Sequence, residues 1–158
     1  VYGVEPSNFG WIFGLNAAGL ILASQVNARI LRRYRSEKVL RAALASNTLF
    51  GAAMVVLAAA GTGGIWGVAV PLFGAISSLG FSFPNSTAAA MAPFGDRAGM
   101  AAALIGTLQF TIAALVSSLV GHLHDGTALP LALVMFACGA AAYVLLRTLT
   151  GPPSAESA

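Results

Sequence analysis

The sequence predicts an all-α membrane protein with five transmembrane helices. Three observations carry that prediction. Of the 158 residues, 58% are hydrophobic and only 8% are charged, against roughly 25% charged in a soluble domain, and the mean hydropathy is +0.83. The apolar residues gather in runs near the length that crosses a hydrocarbon core about 30 Å thick. Positive charge is concentrated in one stretch, Asn27 to Arg41, where Arg29, Arg32, Arg33, Arg35, Lys38 and Arg41 are opposed only by Glu37.

That stretch orients everything else. A loop so rich in Lys and Arg between two apolar runs is held on the cytoplasmic side of a bilayer. The net charge of +3 is accounted for in this way, and no nucleic acid is expected as a partner. Val1 to Asn8 is polar and reads as a loop, with Ser7 or Asn8 available to cap the helix that follows. The first span, residues 9–28, holds no charge and carries Trp11 near its outer end, where an indole prefers the headgroup level. The second, residues 39–60, ends in Gly61-Thr62-Gly63-Gly64, a run that turns tightly. The third, residues 65–91, must therefore return antiparallel to the second. Pro93 to Arg97 breaks the chain again, the fourth span covers residues 98–121 and the fifth residues 129–146. Residues 1–150 then form one bundle and 151–158 a flexible cytoplasmic tail.

Charges not used in building this topology agree with it. With the basic loop inside, Arg97 and Arg147 also fall inside, so that all eight positive side chains share one face. The N-terminus of the segment is then outside and the C-terminus cytoplasmic. Placing any of these charges at the bilayer centre would cost about 2.5–3.5 kcal/mol. The sequence starts at Val1 rather than Met and shows no cleavable signal, which leads to the expectation that it is part of a longer protein.

Polar residues are spread unevenly. The first span has Asn16, Ser24 and Gln25, the third has Ser77, Ser78, Ser82, Asn85, Ser86 and Thr87, and the fourth has Thr107, Gln109, Thr111, Ser117 and Ser118. Buried amides need partners, so these three spans are expected to face the bundle interior or an aqueous cavity, with the fifth facing lipid. Asn47 and Thr48 of the second span read as links between helices. Small residues at Gly10/Gly14, Gly99/Ala103, Ala102/Gly106 and Ser117/Gly121 have the spacing that lets membrane helices approach closely. Gly80 and Pro84 flank Phe81-Ser82-Phe83, where a kink or unwinding is expected. Ser78, Ser82 and Asn85 share one face there and would suit a polar ligand, although a packing kink satisfied by a neighbouring helix explains them equally well. His122, His124 and Asp125 read as a solvated turn rather than a metal site, and Cys138 as a small apolar side chain. No catalytic group, metal or cofactor is expected, and the chain does not read as an enzyme.

Two stretches carry a resemblance. Ser82-Phe-Pro-Asn-Ser-Thr-Ala-Ala-Ala-Met-Ala-Pro-Phe-Gly-Asp-Arg-Ala-Gly-Met-Ala-Ala-Ala-Leu-Ile-Gly-Thr-Leu-Gln109 resembles the tenth-to-eleventh helix region of Bcr/CflA-type drug-resistance transporters of the major facilitator superfamily (MFS). Phe9-Gly-Trp-Ile-Phe-Gly-Leu-Asn16 with Asn27-Ala-Arg-Ile-Leu-Arg-Arg33 is similar to the eighth helix and the loop after it. In that loop Arg29, Arg32 and Arg33 match the superfamily pattern G-x-x-x-D-R-x-G-R-R. Ser24, Ala28 and Leu31 replace its first glycine, its acid and its second glycine.

The resemblance implies helices eight to twelve of a twelve-helix bacterial inner-membrane antiporter. Such a protein would exchange protons for drugs such as chloramphenicol or bicyclomycin-like compounds, with the N-terminal half of the same chain as a partner. It also implies a cavity bordered by the eighth, tenth and eleventh helices, for which Asn16, Ser82, Asn85 and Gln109 are the candidate hydrogen-bonding groups and Phe81 and Phe110 the apolar contacts. The alternatives are a self-contained five-span scaffold or assembly protein, and an MFS exporter of sugars or metabolites.

Overall fold

In an apolar solvent the backbone must satisfy its own polar groups, so an uncharged hydrophobic chain folds as helices. The computed structural model describes residues 6–150, with side chains from Gly10 onward, and is built of little else. The expected tail, residues 151–158, lies outside the described residues, and Ser7 and Asn8, expected to precede and cap the first helix, fall inside it. Helix α1 runs Pro6–Ile30, α2 Ser36–Ala59, α3 Gly64–Met91, α4 Ala98–His122 and α5 Leu129–Thr150, and a 3₁₀ turn, Ala92–Arg97, joins α3 to α4. No strand occurs among the described residues. Proline opens α1, a position where its missing N–H and fixed φ cost nothing.

The five α-helices do not give five separate apolar stretches. Among the described residues four stretches are long and apolar enough to cross a membrane, because α3, the 3₁₀ turn and α4 run on as one helical stretch of 59 residues. At about 1.5 Å per residue this would reach nearly 90 Å if straight, roughly three times a hydrocarbon core. The chain changes direction at Gly95, whose φ of 37° and ψ of −112° break the helical run. The helix does not unwind at Pro84: α3 stays helical through both Pro71 and Pro84.

Packing is in the order α1, α3, α2, α5. Asn27 of α1 meets Asn85 of α3 at one end, and a Cβ on Gly19 would strike Phe73 and Ser77 further along, so α1 and α3 are parallel. Helix α2 is antiparallel to α3, with Ser36 beside Asn85 and Asn47 beside Ser78. It is also antiparallel to α5, with Arg41 bonded to Thr150 and Gly51 against Phe136. The turn between α2 and α3 uses positive φ at Gly61, Gly63 and Gly64, a backbone region that glycine enters freely.

Small residues set the closest approaches, but not those picked out by spacing alone. A Cβ on Gly80 would lie 2.5 Å from the carbonyl oxygen of Leu20, so α1 and α3 touch backbone to backbone. One on Gly139 would lie 2.7 Å from Asn47 Oδ1, which seats α5 against α2. By contrast Gly10, Gly14, Gly99, Gly106 and Gly121 have nothing within 4 Å of such a Cβ. Helix α5 packs one face on α2, burying Ala132 and Gly139, and leaves Leu133, Val144, Leu145 and Leu149 exposed on the others. Helix α4 is packed less: Ala101 is its only buried residue, and it meets the others only near its ends. Near its end Val116 and Val120 face Leu131, Val134 and Met135 of α5 across a groove, while the glycines of its small-residue pairs touch nothing.

Candidate functional site

Polar side chains buried among apolar helices must bond to one another, and here they link three helices. Asn85, 2% exposed on α3, donates from Nδ2 to Asn27 Oδ1 of α1 at 2.9 Å and to the Phe81 carbonyl at 2.7 Å. Its Oδ1 accepts from Ser36 Oγ of α2 at 2.9 Å. Ser36 spends its hydroxyl here instead of capping its own helix, whose N-cap, Arg35, makes no side-chain bond. A second link lies deeper: Asn47 of α2 donates to the Ala75 carbonyl at 3.1 Å and to Ser78 Oγ at 3.2 Å. Thr48 turns back to its own helix at Leu44. Along α3 the hydroxyls of Ser78, Ser82 and Ser86 bond to carbonyls one turn back, those of Ala75, Ser78 and Ser82. Neutral side chains thus carry backbone polarity along the buried face of a helix that contains two prolines.

Two buried polar atoms remain without partners among the described residues. Asn16 donates to the Ile12 carbonyl at 2.8 Å, yet its Oδ1 is unpaired, and so is Ser77 Oγ. Both lie close to the midpoints of their helices, Pro6–Ile30 and Gly64–Met91.

The six candidate residues are not gathered in one cavity. Phe81 lines a groove of about 500 Å³ between α1, α2 and α3, together with Tyr34, Lys38, Ser46, Phe50 and Ser77. Ser82 is 6% exposed and borders a different groove of about 320 Å³ between α2, α3 and α5. Asn85 is consumed by its links, and Asn16 faces the interior. Gln109 is exposed, and Phe110 is 80% exposed; both stand at the middle of α4, apart from the other four.

Sequence reasoning missed Asn27 and Ser36 as participants. The sign for Asn27 was present: Asn16, Gly19, Ala23 and Asn27 form a single stripe at spacings of three and four, and all four are buried. Its place at the edge of the basic loop hid it.

At the bundle end where α1, α3 and α5 finish and α2 begins lie Arg29, Lys38, Arg41 and Arg147. Arg41 pairs with Glu37 at 2.7 Å, Arg29 donates to the Gln25 carbonyl, and Arg147 bonds to and stacks over Tyr143. At the opposite end His122 Nδ1 lies 2.9 Å from the Ser118 carbonyl. Asp125 accepts from both the hydroxyl and the backbone N–H of Thr127, and those bonds, the hydroxyl first, hold its carboxyl below the ordinary carboxylate range. The Thr127 hydroxyl in turn accepts from Leu129 N–H at the start of α5. No group of three or more metal-ligating side chains occurs among the described residues.

Over 138 residues, 87% of the chain, the sequence is 32% identical to the bicyclomycin resistance protein homolog of Haemophilus influenzae. Over 136 residues, 86% of the chain, it is 29% identical to an uncharacterized MFS-type transporter of Bacillus subtilis. The chain spans about a third of the length of these curated relatives, 34% and 33% respectively. No protein-family model matches it, and no solved structure does.

Proposed function

The chain belongs to the Bcr/CflA-type drug-resistance transporters of the major facilitator superfamily, and we propose that it supplies one wall of a small-molecule export pathway driven by proton antiport. The observation that carries this reading is the middle of α4. An amide and an aromatic ring, Gln109 and Phe110, are exposed there at the depth of a bilayer midplane, on a helix with no ionisable group between Arg97 and His122. An amide facing lipid is costly, whereas one lining a watery cavity is not. Transporters of this architecture bind their cargo near the midplane between two rocking halves. Asn16, whose Oδ1 is unpaired near the middle of α1, would contribute a second hydrogen-bonding group to the same pathway. Phe81 would offer an apolar contact nearer the basic end. Ser82 and Asn85 are better assigned to holding the helices that present the wall.

Placement follows from charge. The basic end of the bundle faces the cytoplasm of a bacterial inner membrane, and the remainder of a longer chain closes the cavity opposite α4. The titratable group that couples protons is expected in that remainder, because no acid lies between Ala42 and Gly95 or between Arg97 and His124.

The test uses the full-length protein in proteoliposomes carrying an imposed proton gradient. Gln109→Ala and Asn16→Ala are each expected to lower kcat/KM for the exported drug by about ten-fold, as expected when one buried hydrogen bond to the cargo is lost. Unchanged transport in both variants would overturn the assignment. Neutralising Glu37, Asp96 and Asp125 one at a time should leave proton-driven efflux measurable. Abolition by any one of them, with protein level intact, would place the coupling group here instead.

A further inference from the structure

The groove between α1, α2 and α3 has a charged end and a greasy end. Its floor and sides are Val39, Ala42, Ala43, Phe50, Gly74 and Phe81. Along α2 it extends from Lys38 to Phe50, about 18 Å at the helical rise per residue. That is the depth of one leaflet of a core about 30 Å thick together with its headgroup boundary. Lys38 and Tyr34 line the end at the basic surface. Among the described residues Lys38 makes no ion pair, the only acid on its helix, Glu37, being taken by Arg41. Its volume, about 500 Å³, lies within the range of small-ligand sites.

We propose that this groove is a binding site for an anionic phospholipid, one acyl chain lying along Phe50 and Phe81 and the headgroup phosphate meeting the Lys38 ammonium and the Tyr34 hydroxyl. Three features select this occupant over a compact drug. The groove is open along its side, so a chain can enter from the bilayer without crossing the bundle. Its one charged group, Lys38, and its phenol, Tyr34, stand at the surface end, and the deeper lining is apolar apart from the hydroxyls of Ser46, Ser77 and Ser78, which matches a molecule with one charged terminus and a long, mainly apolar body. The charge there is positive and unpaired, which favours phosphate over the neutral or cationic heads of other amphiphiles. The inference requires that the helices lie in a bilayer and does not depend on the transport reading.

The experiment is native mass spectrometry of the full-length protein in a neutral detergent, titrated with phosphatidylglycerol and with phosphatidylcholine of the same chains. Phosphatidylglycerol is expected to bind at least about five-fold more tightly, the factor that one lysine near an anionic surface supplies. Lys38→Gln should remove that preference and Lys38→Arg should keep it. Arg32→Gln, on the neighbouring turn, should weaken binding less than Lys38→Gln does. Ser46→Phe, which fills the groove from an exposed position, should weaken both lipids. Glycerol phosphate, a headgroup without chains, should not compete. Equal binding of the two lipids would overturn the proposal. So would an equal loss from Arg32→Gln, which would make the attraction diffuse, or tight binding that survives Ser46→Phe.

Discussion

Asn85 shows how a polar residue in a membrane helix can be read in two ways. Its spacing with Ser78 and Ser82 placed it on one face of α3, and all three are indeed buried there. Burial alone does not separate a ligand contact from a structural link. What separates them is the partner, and Asn27 and Ser36 lie 58 and 49 residues away along the chain, a relation no local pattern encodes. Asn85→Ala would leave Asn27 Oδ1 and Ser36 Oγ without this donor and acceptor. The expected loss is about 1–3 kcal/mol, read as a lower denaturation midpoint of the full-length protein in mild detergent. Ser36→Ala, which breaks one bond, should cost about 0.6 kcal/mol, the usual worth of an interhelical hydrogen bond in a membrane. If Asn85→Ala abolished transport with stability unchanged, the residue would be a cargo contact after all.

Helices were legible because an uninterrupted apolar run about 20 residues long has few other ways to satisfy its backbone. The turn at Gly61 to Gly64 was legible for a related reason, its glycines being free to take positive φ. Which helix packs on which was much less so. Helix α5 looks bare in its sequence, yet Gly139 fits under Asn47 and draws it onto α2. Small-residue pairs on α1 and α4 have the right spacing, yet a Cβ on their glycines would meet nothing within 4 Å, since spacing describes one surface of a contact and not its counterpart. Gly80 is the decisive small residue of α3. Gly80→Ala is expected to push α1 from α3 and lower stability by about 1–3 kcal/mol, the common cost of overpacking. Adding Ala23→Gly should not restore it, because the obstructing atom is the Leu20 backbone carbonyl, 2.5 Å from the new methyl. Full rescue by Ala23→Gly would show that the Ala23 methyl, 2.8 Å away, was the true obstacle.

The chain as a whole has a polarity that its charge pattern anticipates. Arg29, Lys38, Arg41 and Arg147 come together at one end through the antiparallel course of α2, and the loop carrying His124 and Asp125 follows α4 at the other. Single cysteines placed at Arg33 and His124, in a full-length protein whose other cysteines have been removed, should react with an impermeant thiol reagent from opposite faces of a sealed vesicle. Labelling from the same face would overturn the topology. The same arrangement has an electrostatic consequence for the helices themselves. Each carries about half a negative charge at its C-terminus, and α1, α3 and α5 all present that terminus to the basic end. Arg29 and Arg147 sit in the last turns of α1 and α5. Those two cations therefore also offset the C-terminal dipoles of α1 and α5, while α3, which has no basic residue in its last turn, is met at that end by the positive N-terminus of antiparallel α2.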